Sequence, residues 1–151
     1  MKKILYVDMD NVLVDFASGI GQLDEKIVRE FDGHLDDVPG IFSLMQPVEG
    51  AVESFVTLAP HFDTYVLSTS PWENPSAWSD KLEWVKKHLG IHAYKRLILT
   101  HHKNLNIGDY LIDDRTARGA DQFVGEHIHF GSERFPDWNA VVEYLLNQKR
   151  E

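Results

Sequence analysis

The feature that most constrains this chain is a short apolar run, Ile4-Leu5-Tyr6-Val7, that stops at two aspartates one residue apart, Asp8 and Asp10. A run of that length, bounded by a turn, reads as a buried strand. Residues two apart on a strand share a face, so both carboxylates can look into one crevice where the strand ends. In open α/β sheets that carboxyl edge is where ligands bind. Two anions so close disfavour each other's ionisation unless a cation lies between them. The ion that suits oxygen donors is a hard divalent one, most naturally Mg²⁺. Taken alone, the segment is equally compatible with a plain turn in which Asp8 caps and Asp10 starts a helix. The residues downstream decide.

Phe16, Ile20, Leu23, Ile27, Val28 and Phe31 recur at helical spacing before Asp32-Gly33, which predicts one helix over 16–31. From 34 to 47 the pattern is irregular around Pro39-Gly40 and Pro47, as in a compact loop with a short helix. A helix is expected over 48–59, closed by Pro60, then a strand over 64–67 ending in Ser68-Thr69-Ser70-Pro71. The next helix spans about 76–88, with Trp78, Leu82, Trp84, Val85 and Leu89 as its inner face and Gly90 as terminator. Strands over 96–99 and 110–112 follow, the latter ending in Asp113-Asp114. A short helix over 116–123, a strand over 128–130 and a closing helix over 138–148 complete the chain. Strands alternating with helices at crossover spacing define an α/β fold with a parallel sheet and helices on both faces. The segment from about 16 to 47, inserted after the first strand, is the expected lid.

A chain of 151 residues suits one domain with a full core and a small insertion. The formal net charge of −9 argues against coating a nucleic acid, which calls for a basic face. It still permits a phosphorylated small molecule, if a metal and one or two cations neutralise the phosphate locally. Cysteine is absent, which excludes thiol chemistry and disulfides. Met1-Lys2-Lys3 runs straight into a strand interrupted by Asp8, so neither a signal peptide nor a membrane span is expected, and the default is a soluble cytoplasmic protein.

Each strand tip carries polar chemistry: Asp8 and Asp10, then Ser68-Thr69-Ser70, then Lys103, then Asp113-Asp114. In a parallel sheet these tips lie along one edge, where carboxylates can hold a metal, a hydroxyl can donate to phosphate and an ammonium can balance charge. Singly, each has a plainer reading. Thr69 and Ser70 suit a turn, Lys103 a solvated surface, and Asp113-Asp114 a helix cap. Their joint occurrence, each at the end of an apolar run, favours the site.

The set Asp8-x-Asp10, Thr69, Lys103 and Asp113-Asp114 resembles the four signature motifs of haloacid-dehalogenase-superfamily phosphotransferases, and more closely those of the 5′(3′)-deoxyribonucleotidase family. The likeness runs through residues 7–16, Pro39-Gly40-Ile41-Phe42, Pro47-Val48-Glu49-Gly50-Ala51, Ser68-Thr69-Ser70-Pro71, Trp84-Val85, His88-Leu89-Gly90, residues 96–103 and 108–114. It implies a Rossmann-like parallel sheet flanked by helices, with a small helical cap after the first strand, and a Mg²⁺-dependent phosphatase acting on a nucleoside monophosphate. By the same resemblance Asp8 is the nucleophile that becomes an aspartyl-phosphate. Asp10 is general acid and then base, its main-chain carbonyl on the metal. Thr69 and Ser70 bind phosphate, and Lys103 offsets charge. Asp114 is the direct metal ligand, with Asp113 behind it, and Phe16, Phe42 and Trp72 fall where substrate-pocket side chains sit.

Two departures from the family pattern stand out. Asn11 replaces the usual glycine after the Asp-x-Asp pair, and asparagine is among the residues that best tolerate the left-handed backbone expected there. The segment before Pro39 is also shorter than the family's helical lid, which bears on base selectivity. Phe16 and Phe42 are equally compatible with simple packing. His101-His102 are expected as loop residues near the site, not ligands. The aromatics between Trp72 and Trp84 are compatible with a homodimer, and the sequence does not fix the oligomeric state. A phosphatase for another small ester remains open. A phospho-accepting receiver domain fits less well, because its phosphorylated Asp would sit on the third strand and its Lys late, whereas here a second Asp pair follows the Lys.

Overall fold

The computed structural model describes residues 1–150. In chain order it contains β1 (Ile4–Val7), β2 (Val14–Asp15), α1 (Phe16–Ile20), α2 (Glu25–Glu30), β3 (Gln46–Pro47) and α3 (Ala51–Leu58). There follow β4 (Asp63–Ser68), α4 (Pro75–His88), β5 (Leu97–Leu99), β6 (Tyr110–Asp113), β7 (Glu126–His129) and α5 (Trp138–Arg150). The main sheet has the order β5-β4-β1-β6-β7, every pair parallel. The chain builds outward from β1 through β4 to β5, then crosses back to lay β6 on the other side of β1. The order therefore reverses beside β1, and the crevice at that reversal opens where Asp8 and Asp113 end neighbouring strands.

Alternation along the strands sorts the core. Leu5, Val7, Ile112 and Ile128 face a large cluster with Phe55 and Leu58 of α3 and Trp138, Val141 and Leu145 of α5. Tyr6, Leu67 and Leu111 point the opposite way, beneath Ala120 and Phe123. That second face is covered by short 3₁₀ turns. The helix expected over 116–123 is reduced to Ala120–Gln122. Arg118 and Gly119 both adopt left-handed backbone (φ 58° and 86°), which no α-helix can continue through.

The insertion departs from expectation too. The single helix expected over 16–31 is two short ones. Gly21 caps the first, and Asp24 restarts the second by accepting a 2.9 Å hydrogen bond from the Lys26 amide. The loop over 34–47 holds two 3₁₀ turns and ends in β3, which pairs antiparallel with β2 and ties both ends of the insertion together. Asn74, 2% exposed, fastens it to the N-terminus of α4 by donating to the Asp36 and Val38 carbonyls at 2.9 and 3.0 Å. Ser76 Oγ adds a link, accepting from the Gly40 amide. Among the described residues no helix is long and apolar enough to cross a membrane.

Candidate active site

The turn after β1 is closed by one carbonyl. Met9 O accepts the amides of Val12, Leu13 and Val14 at 2.8–3.1 Å. Asn11 makes this possible with φ 60°, as expected of asparagine in that place, and its Oδ1 accepts the Phe16 amide. Asp8 extends the sheet by donating its amide to Ile112 O, so its side chain emerges 5% exposed beside the end of β6.

There it meets Lys103 and the aspartate pair. Lys103 Nζ lies 2.9 Å from Asp8 Oδ1 and 2.6 Å from Asp113 Oδ2. Its backbone is held in turn, the amide donating to Arg118 O. Asp113 Oδ1 accepts the Arg115 amide at 3.0 Å, so both its oxygens are engaged. Asp8, Asp113 and Asp114 present carboxylate oxygens within 4.8 Å of one another. Burial, with Asp113 and Asp10 nearby, pushes the Asp8 carboxyl well above the usual carboxylate range against the pull of Lys103. Burial likewise raises Asp114. Burial alone would depress Lys103, but Asp8 and Asp113 outweigh it and raise the ammonium's pKa. One ammonium thus faces three converging carboxyls. That donor set, all oxygen and short of positive charge, fits a hard divalent cation, and Asp8 and Asp114 have more free oxygen than Asp113.

Asp10 is on the same edge and lines the crevice, but it is not one of the three carboxylates that converge there. Its Oδ1 is buried and lies 3.5 Å from Lys81 Nζ. Thr69 lines the crevice, and its Oγ1 donates to Thr100 O at 2.7 Å. The crevice has a volume of about 550 Å³ and is lined by Asp8, Asp10, Thr69, Lys103, Asp113 and Asp114, with Trp72, His101, Arg115 and Arg118 on its walls and Asp36 and Asp37 from the insertion. Trp72 is 75% exposed and packs edge-on against Trp78 and His101.

Three sequence-predicted residues are not brought to the crevice. Ser70 is fully buried, its Oγ without a hydrogen-bond partner. Phe42 is 1% exposed, packed edge-on against Phe16 and lying 4.6 Å below Lys81 Nζ, so its ring supports a lysine instead of lining the pocket. Phe16 packs with it and does not line the crevice either.

Sequence reasoning missed Lys81, Arg115 and Arg118. Ala77, Lys81, Trp84 and Val85 form the buried stripe of α4, whereas Leu82, expected inside, is 41% exposed. The signal was available: a lysine in a helix's apolar stripe needs a partner for its charge.

The parallel sheet and the reversal crevice bring the motif residues Asp8, Thr69, Lys103, Asp113 and Asp114 together along one edge, the arrangement of a sheet-edge hydrolase site. Comparison with known proteins narrows this. Residues 33–137 match the family model described as "5' nucleotidase, deoxy (Pyrimidine), cytosolic type C protein". The chain is 56% identical over 149 residues to a Vibrio phage KVP40 protein named "Putative 5'(3')-deoxyribonucleotidase", covering 99% of this chain and 88% of that one. It is 32% identical over 155 residues to the human "5'(3')-deoxyribonucleotidase, cytosolic type", covering 82% and 77% respectively. A Staphylococcus aureus protein with the same name as the phage relative is 28% identical over 176 residues, covering 97% of each chain. The chain belongs to this family of 5′-nucleotidase hydrolases.

Proposed function

We propose that the chain is a Mg²⁺-dependent phosphomonoesterase that removes the phosphate from (deoxy)ribonucleoside monophosphates through an aspartyl-phosphate on Asp8. The observation that carries this reading is Asp8 itself: a buried carboxylate, gripped by Lys103 and facing Asp113 and Asp114, at the floor of a crevice large enough for a nucleotide.

A carboxylate oxygen of Asp8 attacks phosphorus as the ester P–O bond breaks, and Asp10 gives its proton to the departing alkoxide. Asp10 then takes a proton from water, whose oxygen attacks the phosphorus. The Asp8–phosphorus bond breaks, releasing inorganic phosphate and restoring both carboxyl groups. Lys103 holds Asp8 and offsets charge on the phosphate, and Thr69, by rotating its hydroxyl from Thr100 O, donates to a phosphate oxygen. Asp8 and Asp114, with the main-chain carbonyl of Asp10, are the groups that would hold Mg²⁺, which when bound neutralises phosphate charge and aligns the reacting atoms. Trp72 offers an aromatic face for the base at the crevice wall. Residues 16–47 act as a small cap on the single domain, bringing Asp36 and Asp37 to the mouth.

The test is a screen of deoxyribonucleoside, ribonucleoside and sugar monophosphates with Mg²⁺ and with EDTA. Turnover of nucleotides that EDTA abolishes is the expected result. Turnover confined to sugar phosphates would overturn the substrate assignment, and no turnover of any ester would overturn the reading.

A further inference from the structure

Lys81 has no role in the chemistry just described, yet it is fully buried, and its ammonium reaches two residues that line the crevice, Thr69 and Asp10. Nζ donates to Ser68 Oγ at 2.8 Å and to Thr69 O at 2.7 Å. It lies 4.6 Å from the centre of the Phe42 ring and 3.5 Å from Asp10 Oδ1. An ammonium has three N–H bonds, and the two hydrogen bonds on β4 and its tip use two of them. The third is left for Asp10 Oδ1, a buried oxygen with no hydrogen-bond partner of its own. The Asp10 side chain is 32% exposed and lines the crevice, so its other oxygen is the one presented to substrate.

We infer that Lys81 is the positioning residue for Asp10: it anchors one oxygen of that carboxyl and thereby aims the other at the leaving group and then at water. Burying a lysine requires compensation for its charge, and the aromatic ring, hydroxyl and carbonyl supply part of it. The balance comes from Asp10, whose carboxylate gains most from the ammonium at the moment its proton has passed to the alkoxide. The same ammonium joins the Thr69 backbone to the Asp10 turn, so the phosphate-binding tip and the proton-transfer group move as one unit.

The inference rests on the aspartyl-phosphate reading, and the experiment separates the two. Lys81→Met keeps length and apolar packing over Phe42 while removing the charge. With a deoxynucleoside 5′-monophosphate, whose alkoxide must be protonated to leave, kcat is expected to fall about 10²-fold with KM little changed. With p-nitrophenyl phosphate the phenolate leaves without an acid, so transfer to Asp8 stays fast while water attack, which needs Asp10 as base, becomes slow. Rapid mixing should show a near-stoichiometric burst of p-nitrophenolate followed by a slow steady state, absent from the unmodified enzyme.

A purely structural role would lower both phases together and create no burst, and that result would overturn the inference. So would unchanged rates on both esters. An unmodified enzyme that turns over neither ester would sink the underlying reading instead. Thermal melts check folding, and Lys81→Gln, which keeps a donor for Ser68 Oγ but no charge, carries the same expectation if the Met variant does not fold.

Discussion

Lys103 Nζ sits between Asp8 Oδ1 and Asp113 Oδ2, at 2.9 and 2.6 Å, and is 3% exposed. It is a buried cation compensating carboxyls from two neighbouring strands. Removing one partner of such an arrangement leaves uncompensated buried charge, which costs about 3–5 kcal/mol. Lys103→Met should therefore lower the melting temperature in EDTA, and Mg²⁺ should recover part of the loss by occupying the carboxylates that Lys103 no longer balances. Turnover should fall on the order of 10²–10³-fold, the size of losing one donor to developing charge. Melting curves with and without Mg²⁺, alongside kcat, check both parts.

Asn11 holds φ 60° at the turn that presents Asp8 and Asp10. A β-branched residue in this conformation costs about 1–2 kcal/mol. Asn11→Val should lower stability by that amount and lower kcat. Asn11→Gly accepts the backbone but loses the Oδ1 hydrogen bond to the Phe16 amide, and should stay close to the parent in both. Chemical denaturation and steady-state kinetics distinguish the pair.

Asn74 pins the insertion to α4 through two carbonyls, that of Asp36, part-buried, and that of Val38, buried. Asn74→Ala removes both bonds; Val38 O keeps the Ile41 amide, whereas Asp36 O loses this donor, at about 1–3 kcal/mol. Asp36 and Asp37 line the crevice mouth, so the loosened loop should raise KM for a nucleotide more than it lowers kcat. Comparing p-nitrophenyl phosphate, which makes fewer mouth contacts, checks that the effect comes from the insertion.

His88 packs tilted against Trp84 with ring centroids 4.4 Å apart, and burial followed by the charge of Lys87 lowers its pKa from 6.5. A folded-state pKa below the unfolded one means that the neutral form is favoured in the fold. Its contribution is fully present above pH 6.5 and is lost as pH falls through the lowered value. Thermal stability should decline through that acidic window, and His88→Gln should flatten the decline. An NMR titration of the His88 ring with a midpoint at or above 6.5 would contradict it.

Much of this molecule was legible because the signals were local. The run 4–7 before Asp8 gave β1, and strand-end polar groups gave the sheet edge, since the carboxyl end of a parallel strand is defined by sequence alone. Asn11 declared its backbone in its residue type. What escaped depended on tertiary context. The helical spacing over 16–31 did not reveal that Gly21 and Asp24 divide it, because two short helices carry the same apolar period as one long one. The family resemblance puts Phe42 at a pocket position, but the ring lies under an ammonium that arrives from 39 residues away. Lys81 drew no reading from the sequence, since most lysines are solvated; only the fold puts Ser68, Thr69 and Asp10 around it.

The central claim is that Asp8 attacks phosphorus, and Asp8→Asn tests it most directly. Burial makes the Asp8 carboxylate unfavourable in the metal-free fold, so the neutral amide should leave the melting temperature in EDTA unchanged or higher, which separates lost chemistry from lost structure. With a deoxynucleoside monophosphate and Mg²⁺, the account predicts a fall in kcat on the order of 10⁴-fold or more. A folded Asp8→Asn variant that turns over at near the parent rate would contradict it.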